Sequence, residues 1–76
     1  MDKWEYHVVR TYGGVVMLAD GKEVGKIVNN QPVGQMLYEY LNQIGENGWE
    51  LTGMTAVRGG VELVLKRSKD EEEIYD

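Results

Sequence analysis

The first segment of the chain alternates between apolar and polar residues, as expected of a β-strand with one buried face. In residues 3–12, which read KWEYHVVRTY, the alternation places Trp4, Tyr6 and Val8 on one face. The other face carries, in order, Glu5, His7, Val9 and Thr11. Because the first face is the more apolar, the pattern predicts that the aromatic side chains point into the core.

Two further apolar segments flank the dipeptide Asp20-Gly21, residues 15–19 before it and residues 22–28 after it. An Asp-Gly pair between such segments is a strong signal for a two-residue β-hairpin. Residues 29–31, Asn-Asn-Gln, interrupt the apolar pattern. The sequence therefore predicts a hairpin that ends at a polar break.

A helix is predicted after this break, because apolar residues then recur with helical spacing. Pro32 suits the first turn, and Gly45 or Gly48 suits the end. One continuous stripe along the predicted helix contains Val33, Met36, Leu37, Tyr40, Leu41 and Ile44.

Two strands are predicted after the helix, over residues 49–57 and 61–67, with a turn at Gly59-Gly60. The resulting order, β, β-hairpin, α, β, β, predicts a two-layer α+β domain with one amphipathic helix on an antiparallel sheet. The side chains expected to face that helix are Trp4, Tyr6, Val8, Trp49, Leu51, Leu63 and Leu65.

Charge separates the 76-residue chain into two parts. Residues 1–67 carry seven Lys and Arg against eight Asp and Glu, whereas residues 68–76 carry one Lys against five acids. We therefore expect a single nearly neutral domain over 1–67 and an acidic, flexible tail over 68–76. Without a basic stripe, nucleic acid is not an expected partner.

Composition narrows the expected environment further. The chain has no cysteine, so disulfides and thiolate metal sites are excluded. No apolar run approaches the ~18 residues of a membrane span, and the first residues lack the apolar core of a signal peptide. We expect a cytoplasmic protein that does not enter a membrane.

Two short motifs carry a resemblance to a known family. Residues 4–9 read WEYHVV, and residues 48–51, which follow the predicted helix, read GWEL. Together with the closing strand that ends Leu65-Lys66-Arg67, they resemble a family of small bacterial and phage proteins known as a domain of unknown function. The resemblance covers residues 3–67 and implies a small α+β fold. It implies no activity and no catalytic residues.

The residues offer no catalytic constellation, so we predict no enzyme, no cofactor and no metal site. His7 is the only histidine and Ser68 the only serine, which leaves no second metal ligand or nucleophilic triad. Glu5 and Glu50 follow the two tryptophans and would share an exposed face if their strands pair. Solvated strand carboxylates explain them better than paired acids.

The number of apolar residues is more informative than these polar residues, because one helix cannot cover every apolar residue of the sheet and hairpin. We expect the surplus to form a homo-oligomer contact, a twofold dimer being favoured. The candidate interface residues are Val9, Met17, Leu18, Val24, Ile27, Met54 and Val64. The alternative is that the hairpin folds over the open face and buries it within one chain.

Polar groups at the ends of the strands and helix are the expected recognition points. These candidate residues are His7, Tyr12, Asn29, Asn30, Tyr38 and Arg58. The leading hypothesis is a small non-enzymatic binding or regulatory module that acts through an oligomeric sheet and hairpin surface. A second hypothesis is a small-ligand binder with a pocket at the subunit junction near His7, Tyr12 and Arg58, and an enzyme is a distant third.

Overall fold

The chain folds as one helix packed on an antiparallel sheet, and the computed structural model describes residues 3–69 of it. Its elements are β1 Trp4–Tyr12, β2 Val15–Ala19, β3 Lys22–Glu23, β4 Lys26–Val28, β5 Gln31–Val33, α1 Leu37–Gly45, β6 Glu50–Val57 and β7 Gly60–Ser68. Five strands form one sheet in the order β3-β2-β1-β7-β6, and β4 and β5 form a separate hairpin. The predicted α+β class is confirmed.

Two hairpins form where short polar turns adopt left-handed backbone conformations. Asp20 and Gly21 have φ of 54° and 83°, and Ala19 pairs with Lys22, so the predicted Asp-Gly turn is confirmed. Its second strand ends at Glu23, so the predicted strand over 22–28 is wrong, and residues 26–28 belong to the other sheet. Asn29 and Asn30 have φ of 53° and 63° and join β4 to β5. Asparagine tolerates this conformation better than most residues. The expected polar break is therefore the turn of a second hairpin, which we did not predict.

The helix is shorter than the apolar stripe indicates. Pro32 and Val33 belong to β5, and Met36 precedes the first helical residue. Backbone hydrogen bonds explain the difference, since Val16 N–H donates to Gln35 O and Leu37 N–H donates to Gly14 O, both at 2.9 Å. These bonds hold the segment before the helix in an extended form along the edge of β2.

The faces of β1 are reversed relative to our prediction. Val9 is fully buried and Thr11 is 3% exposed, whereas Trp4, Tyr6 and Val8 are 43%, 60% and 37% exposed. Strand pairing sets this phase, because Val9 lies opposite Leu63 on β7, which faces the helix.

The polar side chains on the helix-side face of β1 form hydrogen bonds with other parts of the chain. Arg67 Nε donates to Glu5 Oε2 at 2.8 Å, and the Thr11 hydroxyl accepts from the Val61 N–H at 3.1 Å. Since buried polar groups need such partners, these bonds make the reversed phase physically acceptable.

The core lies between α1 and the middle of the sheet. Its buried cluster consists of Val9, Val16, Ile44, Leu63 and Leu65, with Leu37, Tyr40, Leu41, Trp49 and Val61 packed against it. The predicted inward positions of Leu63, Leu65 and Trp49 are correct. Leu51 also lies on the helix side, opposite Leu65, but is 50% exposed because the helix does not cover the edge strand β6.

The predicted start of the tail also shifts. Ser68 is the last residue of β7, and the Lys69 N–H donates to Lys3 O at 2.9 Å, so both residues continue the sheet. The acidic stretch 70–76 lies outside the described residues.

Candidate functional site on the exposed sheet face

The sheet face opposite the helix carries an aromatic stripe along the central strand β1. Alternate residues of β1 project from this face, and Trp4, Tyr6, Val8 and Tyr12 are between 37% and 60% exposed. Antiparallel sheets normally expose polar side chains on their solvated face. This face, which we call the open face, instead carries large apolar side chains between its charged residues.

Charged residues of β1 and β7 lie at the two ends of the open face. Tyr6 lies opposite Lys66, Val8 opposite Val64 and Arg10 opposite Glu62. Lys66 Nζ sits 4.0 Å above the centre of the Trp4 ring, a cation–π contact. At the other end, Arg10 Nη2 lies 3.5 Å from Glu62 Oε1. Positive and negative groups therefore flank an apolar centre formed by Val8 and Val64.

A cleft of about 520 Å³ opens where the end of β1 meets the β4–β5 hairpin and the β6–β7 turn. Its lining residues are Arg10, Thr11, Tyr12, Met17, Ile27, Asn30 and Arg58. Among the residues that the structure describes, two guanidinium groups and no acidic side chain line it. The cleft is therefore both positively charged and partly apolar.

Close backbone contacts fix the walls of the cleft. The Gly13 N–H donates to Gly59 O at 2.9 Å, and the Tyr12 ring packs so closely on Gly59 that a side chain there would overlap it. Gly59 has φ of 78°, which also favours glycine. A Cβ on Gly13 would lie 2.9 Å from Pro32 Cγ, so the second hairpin packs against the same turn.

His7 lies on the opposite side of the sheet, under the helix, so our prediction that it faces away from the helix is wrong. Its Nδ1 lies 2.8 Å from Asp20 Oδ2 and its Nε2 lies 2.6 Å from the Tyr40 hydroxyl. The ring also lies 5.3 Å from that of Trp49. Within one chain, His7 therefore does not share a pocket with Tyr12 and Arg58.

Two pKa values are shifted in this cluster. The hydrogen bond from the Val8 N–H lowers the pKa of Asp20, and the contact with His7 adds to the effect against an opposing contribution from burial. Burial raises the pKa of Tyr40, helped by the negative charge of Asp20. The cluster keeps Asp20 ionised and Tyr40 protonated, the states in which their hydrogen bonds to His7 form.

Three of the six predicted recognition residues meet at the cleft, namely Tyr12, Asn30 and Arg58. Asn29 lies beside Asn30 in the hairpin turn. Tyr38 is 63% exposed on the helix. The structure thus brings together half of this set and leaves His7 and Tyr38 elsewhere.

The predicted interface residues divide among several surfaces. Leu18 and Val64 lie on the open face, and Met17 and Ile27 line the cleft. Val24 is 53% exposed. Met54 is 61% exposed but lies opposite Leu63, on the helix side of the edge strand, and not on the open face.

Val9 has no exposed surface, so its predicted place in an interface is wrong. Sequence reasoning missed the residues that replace it, Tyr6 and Val8, because it assigned their face to the core. Leu63 and Leu65 determine which face of β1 is buried, once it is known which residues of β1 pair with them.

The two glutamates that follow the tryptophans are separated by the sheet. Glu5 pairs with Arg67 on the helix side, and Glu50 lies opposite Lys66 on the open face. Within residues 3–69, no three His, Asp or Glu side chains are grouped closely enough to hold a metal ion. In the same part of the chain, no helix is long and apolar enough to span a membrane.

Comparison with protein-family models, curated proteins and solved structures finds no match to this chain. The resemblance to the domain-of-unknown-function family therefore stays a prediction.

Proposed function

We propose that the protein is a small non-enzymatic binding module that forms a twofold dimer by stacking the open faces of two sheets. The observation that carries the proposal is the exposure of Trp4, Tyr6, Val8 and Tyr12 on one strand. Monomeric proteins rarely leave contiguous apolar patches larger than a few hundred Å² in water. The proposed compartment is the cytoplasm, the location that the sequence predicts.

The charges on the open face favour a second copy as the partner. Val8 lies midway between Tyr6 and Arg10 on β1, and Val64 lies midway between Glu62 and Lys66 on β7. Consider a twofold axis that lies between the two stacked sheets and runs parallel to the line from Val8 to Val64, perpendicular to the strands. Rotation about this axis places Tyr6 over Arg10 of the other copy. The same rotation places Lys66 over Glu62 of the other copy. Such self-complementarity is what a twofold interface requires.

The size of the face sets the expected strength of association. Nine residues of β1 extend about 30 Å, and three neighbouring strands span about 15 Å. Two such faces bury on the order of 1,000 Å² in total, near the lower limit for specific interfaces. We therefore expect a dimer that dissociates on dilution through the micromolar range.

Sedimentation velocity across a dilution series tests the proposal directly. We expect the mass to fall from two chains to one as the concentration decreases. A single-chain mass at every concentration up to several hundred micromolar would overturn the dimer.

Charge reversal tests the register of the dimer. Lys66→Glu places two acids against each other in the proposed dimer, and Glu62→Lys places two bases there, so neither variant should self-associate. An equimolar mixture of the two should form a mixed dimer, because each contact then joins opposite charges. Lys22→Glu on β3 and Glu39→Lys on α1 are the matched controls, because neither residue lies on the open face, and both variants should dimerise like the parent. Self-association of both interface variants at parental strength would exclude this register.

A further inference from the structure

We propose that the cleft binds a small organic anion through Arg10 and Arg58. The carboxylate or phosphate group of this ligand contacts the two guanidinium groups, and its apolar or aromatic body lies on Met17 and Ile27. The cleft is built within one chain. Because Arg10 also lies on the open face, the binding test is repeated at several protein concentrations, which separates ligand binding from the proposed dimer.

The charge of the cleft selects an anion. Among residues 3–69, its seven lining residues include two arginines and no acid, in a chain whose net charge is −5. Arg58 lies in the β6–β7 turn and makes no ion pair or side-chain hydrogen bond within the described part of the chain. Its planar donor array is therefore available to an oxyanion.

Arg10 also keeps donors available. Its contact with Glu62 is 3.5 Å long, well beyond the ~2.7–2.9 Å of a strong charge-assisted hydrogen bond. The contact is made by Nη2, and Arg10 is one of the residues that line the cleft. A ligand oxyanion can therefore compete for this guanidinium.

The apolar floor of the cleft is produced by a β-bulge. On β2, Leu18 pairs with Arg10 and Val16 pairs with Thr11, so Met17 is the extra residue between them. Bulges of this kind redirect a side chain out of the regular sheet pattern. Met17 Sδ then approaches Gly25, where a Cβ would lie 2.8 Å from it. The glycine thus allows Met17 to lie at the base of the hairpin that contributes Ile27.

Two polar groups complete the lining. Asn30 presents its side chain from the tip of the β4–β5 hairpin, and the ring of Tyr12 is held in place by Gly59. The hydroxyl of Thr11 is already bonded to the backbone of Val61 and is not counted as a ligand contact. The volume of about 520 Å³ falls within the range typical of small-molecule sites.

Nuclear magnetic resonance titration of the full chain with three matched probes tests the proposal. The probes are 2-naphthoate, 1-naphthyl phosphate and the neutral 2-naphthylmethanol. We expect both anions to shift the amide signals of residues 10–12, 27–30 and 58–59, and to bind at least about tenfold more tightly than the alcohol. Tighter binding of the phosphate points to phosphate esters as the natural ligands, and tighter binding of naphthoate points to carboxylic acids.

Arg58→Gln is the decisive variant, because Arg58 is exposed in a turn and lies outside the aromatic stripe. Loss of one charged hydrogen-bonding group should weaken anion binding roughly tenfold to a hundredfold. Lys22→Gln removes the same charge outside the cleft and should leave the affinity unchanged. Equal binding of the three probes, or parental anion affinity in Arg58→Gln, would overturn the proposal. Neither outcome bears on the dimer, since sedimentation of Arg58→Gln measures that separately.

Discussion

The Tyr40 hydroxyl and His7 Nε2 lie 2.6 Å apart, and this hydrogen bond joins the helix to the central strand. On the other side of the ring, Nδ1 lies 2.8 Å from Asp20 Oδ2. An ionised carboxylate only accepts hydrogen bonds, so Nδ1 carries the proton and, in the neutral ring, Nε2 accepts from Tyr40. Asp20 Oδ1 accepts from the Val8 N–H at 2.8 Å. The chain of bonds thus ties together α1, β1 and the β2–β3 turn.

Tyr40→Phe should destabilise the fold by about 1–2 kcal/mol, since it leaves the largely buried Nε2 of His7 without its partner. Equilibrium unfolding in urea measures this change. Tyr38→Phe removes the same hydroxyl from a side chain that is 63% exposed on the same helix, and its stability should match the parent. Equal stabilities of the two variants would show that the bond to His7 contributes nothing.

The stability contributed by Asp20 should depend on pH. Its pKa is lowered from 3.8 in the folded chain, chiefly by the Val8 N–H bond, so the folded state binds this proton more weakly than the unfolded state. The contribution is therefore fully present above the unfolded pKa and is lost as the pH falls through the lower folded pKa. Asp20→Asn, which keeps a residue suited to the left-handed turn, should be less stable than the parent at pH 7.

Thermal unfolding between pH 2 and pH 7 measures this effect as the difference between the parent and Asp20→Asn. The difference should narrow as the pH falls below about 4, because the parent carboxylate then becomes protonated. Glu23→Gln on β3 removes a carboxylate that makes no hydrogen bond or ion pair within residues 3–69, and controls for the loss of one negative charge. A parent–Asp20→Asn difference that is constant with pH would contradict the assignment.

The sequence predicts the elements of this fold better than their orientation. Periodicity and turn residues identify β1, the Asp-Gly hairpin, the core of α1 and the two closing strands. They cannot determine the phase of β1, because both faces contain residues that can be buried. The aromatic face of β1 is the exposed one because strand pairing aligns Val9 with Leu63 on the buried side. The polar residues on that buried side, Glu5, His7 and Thr11, have hydrogen-bond partners that are distant in sequence.

The candidate site was predictable only in part for the same reason. Tyr12, Asn30 and Arg58 were identified as polar residues at the ends of elements, and they do line the cleft. Met17 could not be assigned to it, since its position depends on the bulge in β2 opposite Arg10 and Thr11. Arg10 could not be assigned either, since the orientation of β1 decides which face it lies on. A bulge follows from how two strands align, and a single strand pattern does not reveal it.

The reversed phase of β1 can be checked with two neighbouring valines. Val9→Ala should cost about 2–3 kcal/mol, because it removes two methyl groups from a fully buried site and leaves a cavity. Val8→Ala, at a position that is 37% exposed, should cost less than about 1 kcal/mol in the monomer. Urea unfolding at low micromolar concentration compares them without a contribution from association. The opposite ranking would support the aromatic-inward arrangement.

Two glycines of the β6–β7 hairpin should respond differently to alanine. A Cβ at Gly60 would overlap the carbonyl oxygen of Thr11, and this backbone cannot move without disturbing β1. Gly60→Ala should therefore destabilise the chain by about 1–3 kcal/mol or more. Gly53 follows the register shift in β6. A Cβ added at this position would meet no atom within 4 Å, and the φ of Gly53 is not positive. Gly53→Ala should be neutral or slightly stabilising, since alanine restricts the unfolded chain. Thermal unfolding compares the two variants, and a tolerated alanine at Gly60 would mean that β1 and the β6–β7 turn are not in close contact.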